Sequence, residues 1–124
     1  MKRLSLLFAA GALLAAGPPA AAQEWKLRPG DRPLSIAELD ALEGQVLRFF
    51  DGAEAVYGPG GAYSYTYSDA NGGGTAQGRY EVAGEGEVCT SFPNGFSRCD
   101  YFVENGGRLA VITEQGERYP VRGN

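Results

Sequence analysis

Apolar positions along the chain change period once. Between Leu34 and Gly44 they recur at helical spacing, with Ile36, Leu39 and Leu42 forming one stripe. Ser35-Ile36-Ala37-Glu38 has the form of a capping box: the Ser35 hydroxyl accepts from the Glu38 amide, and the Glu38 carboxylate accepts from the Ser35 amide. Leu34 and Leu39 can close a hydrophobic staple across the cap, and Gly44 is placed to stop the helix. The pattern predicts a helix over residues 35–43, too short to stand without a surface to pack on. From Gln45 the period becomes two. Strands are expected over residues 45–50, 53–57, 62–68, 75–83, 87–92, 96–104, 108–113 and 117–122, separated by glycine-rich turns. Asn71, Asn94 and Asn105 are each followed by glycine, the pair best suited to hairpin turns because both residues tolerate positive φ.

Sequential strands joined by tight turns make an antiparallel meander. Its edges must be paired or covered, so the expected fold is mainly β: a small barrel or curved sheet with one short N-terminal capping helix. No internal repeat is present, which argues against a propeller or solenoid.

The stretch from Cys89 to Cys99 organises the second half. Its cysteines, the only two in the chain, lie five residues either side of Asn94. Pro93-Asn94-Gly95 forms the turn, and Phe92 and Phe96 close it. Equal spacing about a turn favours a disulfide across a hairpin over a metal site or a redox pair. That pairing sets Thr90 opposite Arg98 and Glu87 opposite Tyr101. Cys89, Cys99, Tyr101 and Val103 then share one face; Val88, Phe92, Phe96 and Phe102 share the other. The cysteine face is expected to point inward, because Arg98 and Asp100 sit on the opposite one.

Residues 1–22 have the layout of a secretory signal peptide: Lys2 and Arg3, an apolar run from Leu4 to Ala16, then Ala20-Ala21-Ala22 before a cleavage expected ahead of Gln23. The run is too short for a membrane span, and no cysteine stands at the cleavage point to carry a lipid, so no membrane anchor is expected. A periplasmic or secreted product is implied. Residues 23–34 read as an extended lead-in, ordered only if Trp25 docks on the body, and residues 35–124 as a single β domain. Loss of Lys2 and Arg3 from the 11 basic residues leaves nine against 15 acidic, a net of −6. Without a basic run, neither nucleic acid nor an anionic membrane is an expected partner. A monomer is expected.

The chain contains no histidine. This removes Ser-His-Asp and Cys-His catalysis and histidine metal sites. The carboxylates are scattered, mostly at turns or on the helix surface, as solvated groups are. Asp69-Ala70-Asn71-Gly72-Gly73 lacks the further acidic ligands of a calcium loop, and Gly58-Pro59-Gly60-Gly61 lacks the ending of a phosphate loop. No catalytic residue, metal or cofactor is expected. The candidate binding residues are the row Tyr63, Tyr65 and Tyr67 together with Phe92 and Phe96, rings suited to a sugar, an amphiphile or a protein surface. The competing reading places the tyrosines inside the barrel as packing.

The order of signal peptide, Ser-x-x-Glu helix, Gly78-Arg79-Tyr80-Glu81-Val82, Cys89, turn, Cys99 and a Gly-Gly turn into a last apolar strand resembles a group of short exported bacterial proteins without an assigned activity. More loosely, the layout is similar to small periplasmic β-barrel inhibitors of lysozymes and proteases; no inhibitory loop of those maps onto residues here. The function expected is non-catalytic binding of a small ligand or a protein in the cell envelope. The alternatives are a structural or accessory envelope protein and a periplasmic enzyme inhibitor.

Overall fold

A computed structural model describes residues 24–123. The signal peptide expected over residues 1–22 lies outside the described residues. Strands β1 (Arg32–Pro33), β2 (Val46–Phe49), β3 (Glu54–Tyr57), β4 (Ala62–Thr66), β5 (Thr75–Ala83), β6 (Glu87–Ser91), β7 (Ser97–Asn105), β8 (Arg108–Thr113) and β9 (Arg118–Gly123) form one sheet, with helix α1 (Ile36–Asp40) between β1 and β2. Strands β2 to β9 pair antiparallel with their sequence neighbours, and β9 returns to pair with β2. The result is a closed eight-stranded barrel without a free edge.

Helix α1 forms as its cap dictates. Glu38 N donates to Ser35 Oγ at 3.2 Å, and Ser35 N donates to Glu38 Oε1 at 3.1 Å. Arg32 grips the same carboxylate at 2.8 and 3.0 Å. The regular turn ends at Asp40, earlier than expected, and Gly44 at φ 85° redirects the chain, its N–H donating to the Tyr57 carbonyl. Leu39 and Leu42 are buried and plug one end of the barrel, whereas Ile36 is exposed and contributes nothing to that stripe. Above the plug the barrel is filled by Leu47, Ala55, Tyr57, Val88 and Phe102. Tyr57 meets Tyr63, Tyr80 and Phe102 edge-on. Burying each such large side chain contributes about 1.5–3 kcal/mol.

The disulfide joins Cys89 to Cys99, and the register around it is as read from the sequence: Thr90 opposite Arg98, Glu87 opposite Tyr101. The facing is the reverse of the expectation. Val88, Thr90, Asp100 and Phe102 are buried and the cystine lies on the outer wall. Two facts explain this. Arg98 and Asp100 neutralise each other, so the inner face carries no uncompensated charge from that strand. The apolar residues of the outer face have a cover of their own: the lead-in crosses the wall, with Trp25 stacked on Tyr101 at 5.2 Å over Val103, Ala110 and Ile112. Strand β1 pairs with the part of β7 that β6 does not reach, Arg32 opposite Glu104 and Pro33 opposite Val103. The lead-in is pinned by Asp31, whose enclosed carboxylate accepts both Arg118 guanidinium nitrogens (2.8 and 2.6 Å) and Asn105 Nδ2 (2.8 Å).

The asparagine turns also differ from expectation in detail. No asparagine of the described residues adopts positive φ. In the β7–β8 hairpin that conformation falls on Gly106 and Gly107 (59° and 81°), one residue later, and Asn105 ends the strand opposite Arg108. This frees the Asn105 side chain for Asp31 and the Pro29 carbonyl. Gly78 is fixed by contact. A Cβ there would lie 2.6 Å from the Ser91 carbonyl oxygen and 3.1 Å from the Phe92 ring. Together with Arg79 donating to the Gly60 carbonyl and Tyr80 to that of Gly58, this accounts for the Gly78-Arg79-Tyr80 segment as structure.

Candidate functional site

The barrel end away from α1 is open. Strand ends of β2, β4, β7, β8 and β9 surround a cavity of about 520 Å³, with Asp100 and Arg98 on its inner wall. Three of the five sequence-predicted residues meet there: Tyr65, Tyr67 and Phe96 line it. Tyr63 and Phe92 do not. Tyr63 is buried among the packing residues, edge-on to Tyr57 at 5.3 Å and to Phe92 at 6.1 Å. The tyrosine row therefore divides along its length: Tyr63 packs, Tyr65 is half-buried at the cavity wall, and Tyr67 stands exposed at the rim. This is the alternation of an inward face running from the core out to an open end.

Phe96 is the most exposed ring of the mouth, at 58%. It is stacked on Phe92 at 6.0 Å, and its amide donates to Asn94 Oδ1, which orders the turn. Phe49 and Tyr119 supply further aromatic wall from β2 and β9.

The charged groups were not predicted as site residues. Arg98 Nε lies 3.2 Å from Asp100 Oδ2, an ion pair whose alignment falls short of a hydrogen bond. The Arg98 guanidinium also sits 5.9 Å from the Tyr65 ring centre and 3.4 Å from the Tyr63 hydroxyl. Asp100 is buried and its Oδ1 has no hydrogen-bond partner. Burial pushes the Asp100 carboxyl above the ordinary aspartate range, against the pull of Arg98. Burial likewise raises Tyr63, to about 12. Tyr119 reaches about 12 because its hydroxyl donates to the Glu117 carboxylate. Tyr63 and Tyr119 thus stay protonated at neutral pH. Asp51 accepts from the Ala53 amide and from Asn71. Glu114 accepts from the Cys99 amide at 2.7 Å, replacing a strand partner where β8 has ended.

A second hollow, about 490 Å³, lies beside α1 against β8 and β9 rather than against the tyrosine face. Its floor is Leu34, Leu42, Leu47 and Leu109. The two acids that line it, Glu38 and Glu104, are both paired with Arg32. The mouth is the stronger candidate because it holds a buried acceptor in want of a donor. Among the described residues, the one grouping of three metal-ligand types, Glu87 with Cys89 and Cys99, has its two sulfurs bonded to each other. No helix of the described residues is long and apolar enough to cross a membrane.

Comparison with known proteins returned no match: no family model, no curated protein and no solved structure corresponds to the chain.

Proposed function

We propose that the protein is a non-catalytic binding barrel, exported to the cell envelope, that holds a small ligand in its open mouth. The observation that carries this reading is the contrast within one barrel: a packed interior beneath an unfilled, ring-walled cavity with a buried, incompletely paired carboxylate in its wall. A purely structural module has no need of that arrangement, since an unpaired buried acceptor costs about 1–3 kcal/mol. Absence of a catalytic role is supported by the chain's lack of histidine, by cysteines committed to a disulfide and by Tyr63 and Tyr119 held protonated. Export is supported by the layout of residues 1–22 and by the disulfide, a bond suited to oxidising compartments.

A small-molecule library screened by amide NMR tests the reading. Hits should perturb Tyr67, Phe96, Thr113 and Tyr119 together; a screen in which no compound moves these signals would remove the binding role. Mass spectrometry of material from the cell envelope should find a chain beginning at Gln23, and an uncleaved chain in the cytoplasm would refute export.

One observation favours a protein partner as the second reading, an enzyme inhibitor acting through the Phe92–Phe96 turn: Phe96 is exposed on a turn braced by Asn94 and the cystine. Pull-down from envelope extract with wild type and Phe96→Ala separates the two. Equal recovery of partners by both proteins would count against the turn.

A further inference from the structure

From the charges and rings of the mouth we infer that its ligand is a small primary alkylammonium ion, an inference that rests on the mouth being a binding site. Four carboxylates line the cavity, those of Asp51, Asp100, Glu114 and Glu117, against a single cation, Arg98. Arg98 is already engaged with Asp100, so Asp51 and Glu117 set the sign of the field. Asp51 and Glu117 accept hydrogen bonds from neutral donors, an amide N–H, an amide side chain and a phenol, which leave their charge intact.

The walls complete the fit. Tyr65, Tyr67, Phe96 and Tyr119 present rings to the same cavity, and a cation over an aromatic face is attracted by the ring quadrupole. Rings beside carboxylates suit an organic cation with an apolar body better than a bare metal ion, which would need oxygen ligands all round.

Asp100 narrows the class. Only 6% of its side chain is exposed, it lines the cavity, and its Oδ1 accepts no hydrogen bond. An unpartnered acceptor selects a cation that can donate, so a primary ammonium with three N–H groups fits and a quaternary ammonium does not. Entry is expected to move Arg98. Its ion pair is imperfectly aligned and 38% of its side chain is exposed, so swinging it aside opens the way to Asp100.

The experiment is an NMR and calorimetric titration with isosteric probes: n-butylammonium, 1,4-diaminobutane, 1-butanol, butyrate and tetramethylammonium. Both primary amines should shift the mouth amides and the Arg98 Nε signal. 1-Butanol and tetramethylammonium should bind at least fivefold more weakly, and butyrate should leave the signals unmoved. Affinity for the amines should fall with added salt. Tyr67→Leu, at the exposed rim, should weaken butylammonium about two- to fivefold through loss of one ring face. Glu117→Gln, which keeps an acceptor for Tyr119, should weaken it by a similar factor without altering the fold. Butyrate binding at the mouth more tightly than butylammonium would overturn the inference, with Arg98 then the receptor of an anion, and would leave the mouth as a binding site. Equal affinity for butylammonium and butanol would overturn it as well. If no amine moves the mouth at roughly ten millimolar while other library compounds do, the cation fails and the binding role stands.

Discussion

At the helix end of the barrel, Leu39 and Leu42 fill the opening, and the helix that carries Leu39 starts in a capping box that satisfies the amides of Ser35 and Glu38. At the other end the strands stop around a hollow, and the groups nearest the core are an imperfect ion pair and an unpaired carboxylate oxygen. The same strands run through both ends, so strand propensity does not account for the difference. The connections between strands do: an amphipathic segment closes one opening, and the connections 50–53, 67–74, 92–96 and 114–117 edge the other and leave its hollow unfilled. One end devotes its residues to packing. The other holds polar groups whose incomplete pairing costs stability, as at a candidate site.

The contrast should be visible in stability. Leu39→Ala, which empties the plug, should cost about 3 kcal/mol by urea denaturation. A loss under about 1 kcal/mol would mean the helix is not what closes that end. Reduction of Cys89–Cys99 should cost about 2–3 kcal/mol, because the wall beside the mouth has no plug to hold it. An unchanged melting temperature on reduction would deny the bond that role. Ser35→Ala should cost about 1 kcal/mol through loss of the cap.

Acids at the two ends should respond to pH with opposite sign. The Glu38 carboxyl is held down to about 2 by Arg32 and the Ser35 amide. Its contribution is therefore present above the ordinary glutamate value and lost as pH falls through that lowered value. Asp100 is raised, so its protonated form favours the fold, and that contribution is lost as pH rises through its folded value. Relative to wild type, Glu38→Gln should be most destabilised near neutral pH and Asp100→Asn in acid, read from denaturation under both conditions. The same sign for both variants would break the comparison. Smallest of all, Tyr67→Leu should change stability by no more than about 0.5 kcal/mol; a larger loss would make the rim part of the core.

Much of the barrel was legible in the chain because alternation and glycine turns are local signals. The hairpin register came from two cysteines, and the helix from Ser35 and Glu38. The facing of β6 and β7 was not legible. Both faces of β7 carry apolar residues, and Arg98 and Asp100 have the composition of a solvent face unless their mutual contact is known. Equally, Tyr101 and Val103 have the character of internal residues unless Trp25 is known to lie over the outer wall. The aromatic half of the site was visible as the Tyr63-Tyr65-Tyr67 row. Its acidic half comes from Asp51, Asp100, Glu114 and Glu117, which are scattered along the chain and meet only when β9 closes on β2.

That closure bears on how the chain folds. Every other barrel pairing except this one joins neighbours in sequence and can form as a hairpin; β2 with β9 must gather the whole domain first. It is also the thinnest ladder of the barrel, with Arg48 opposite Gly123, Phe49 opposite Val121 and a bulge between them. Folding should wait on this seam, because the entropy of loop closure is lost before the seam's contacts form. In the native protein the seam should also breathe first, its amides exchanging with deuterium ahead of those in the β4–β7 hairpins. The wall that opens soonest would then be the one between Phe49 and Tyr119, so the barrel's last step of assembly is also the step that shapes its mouth.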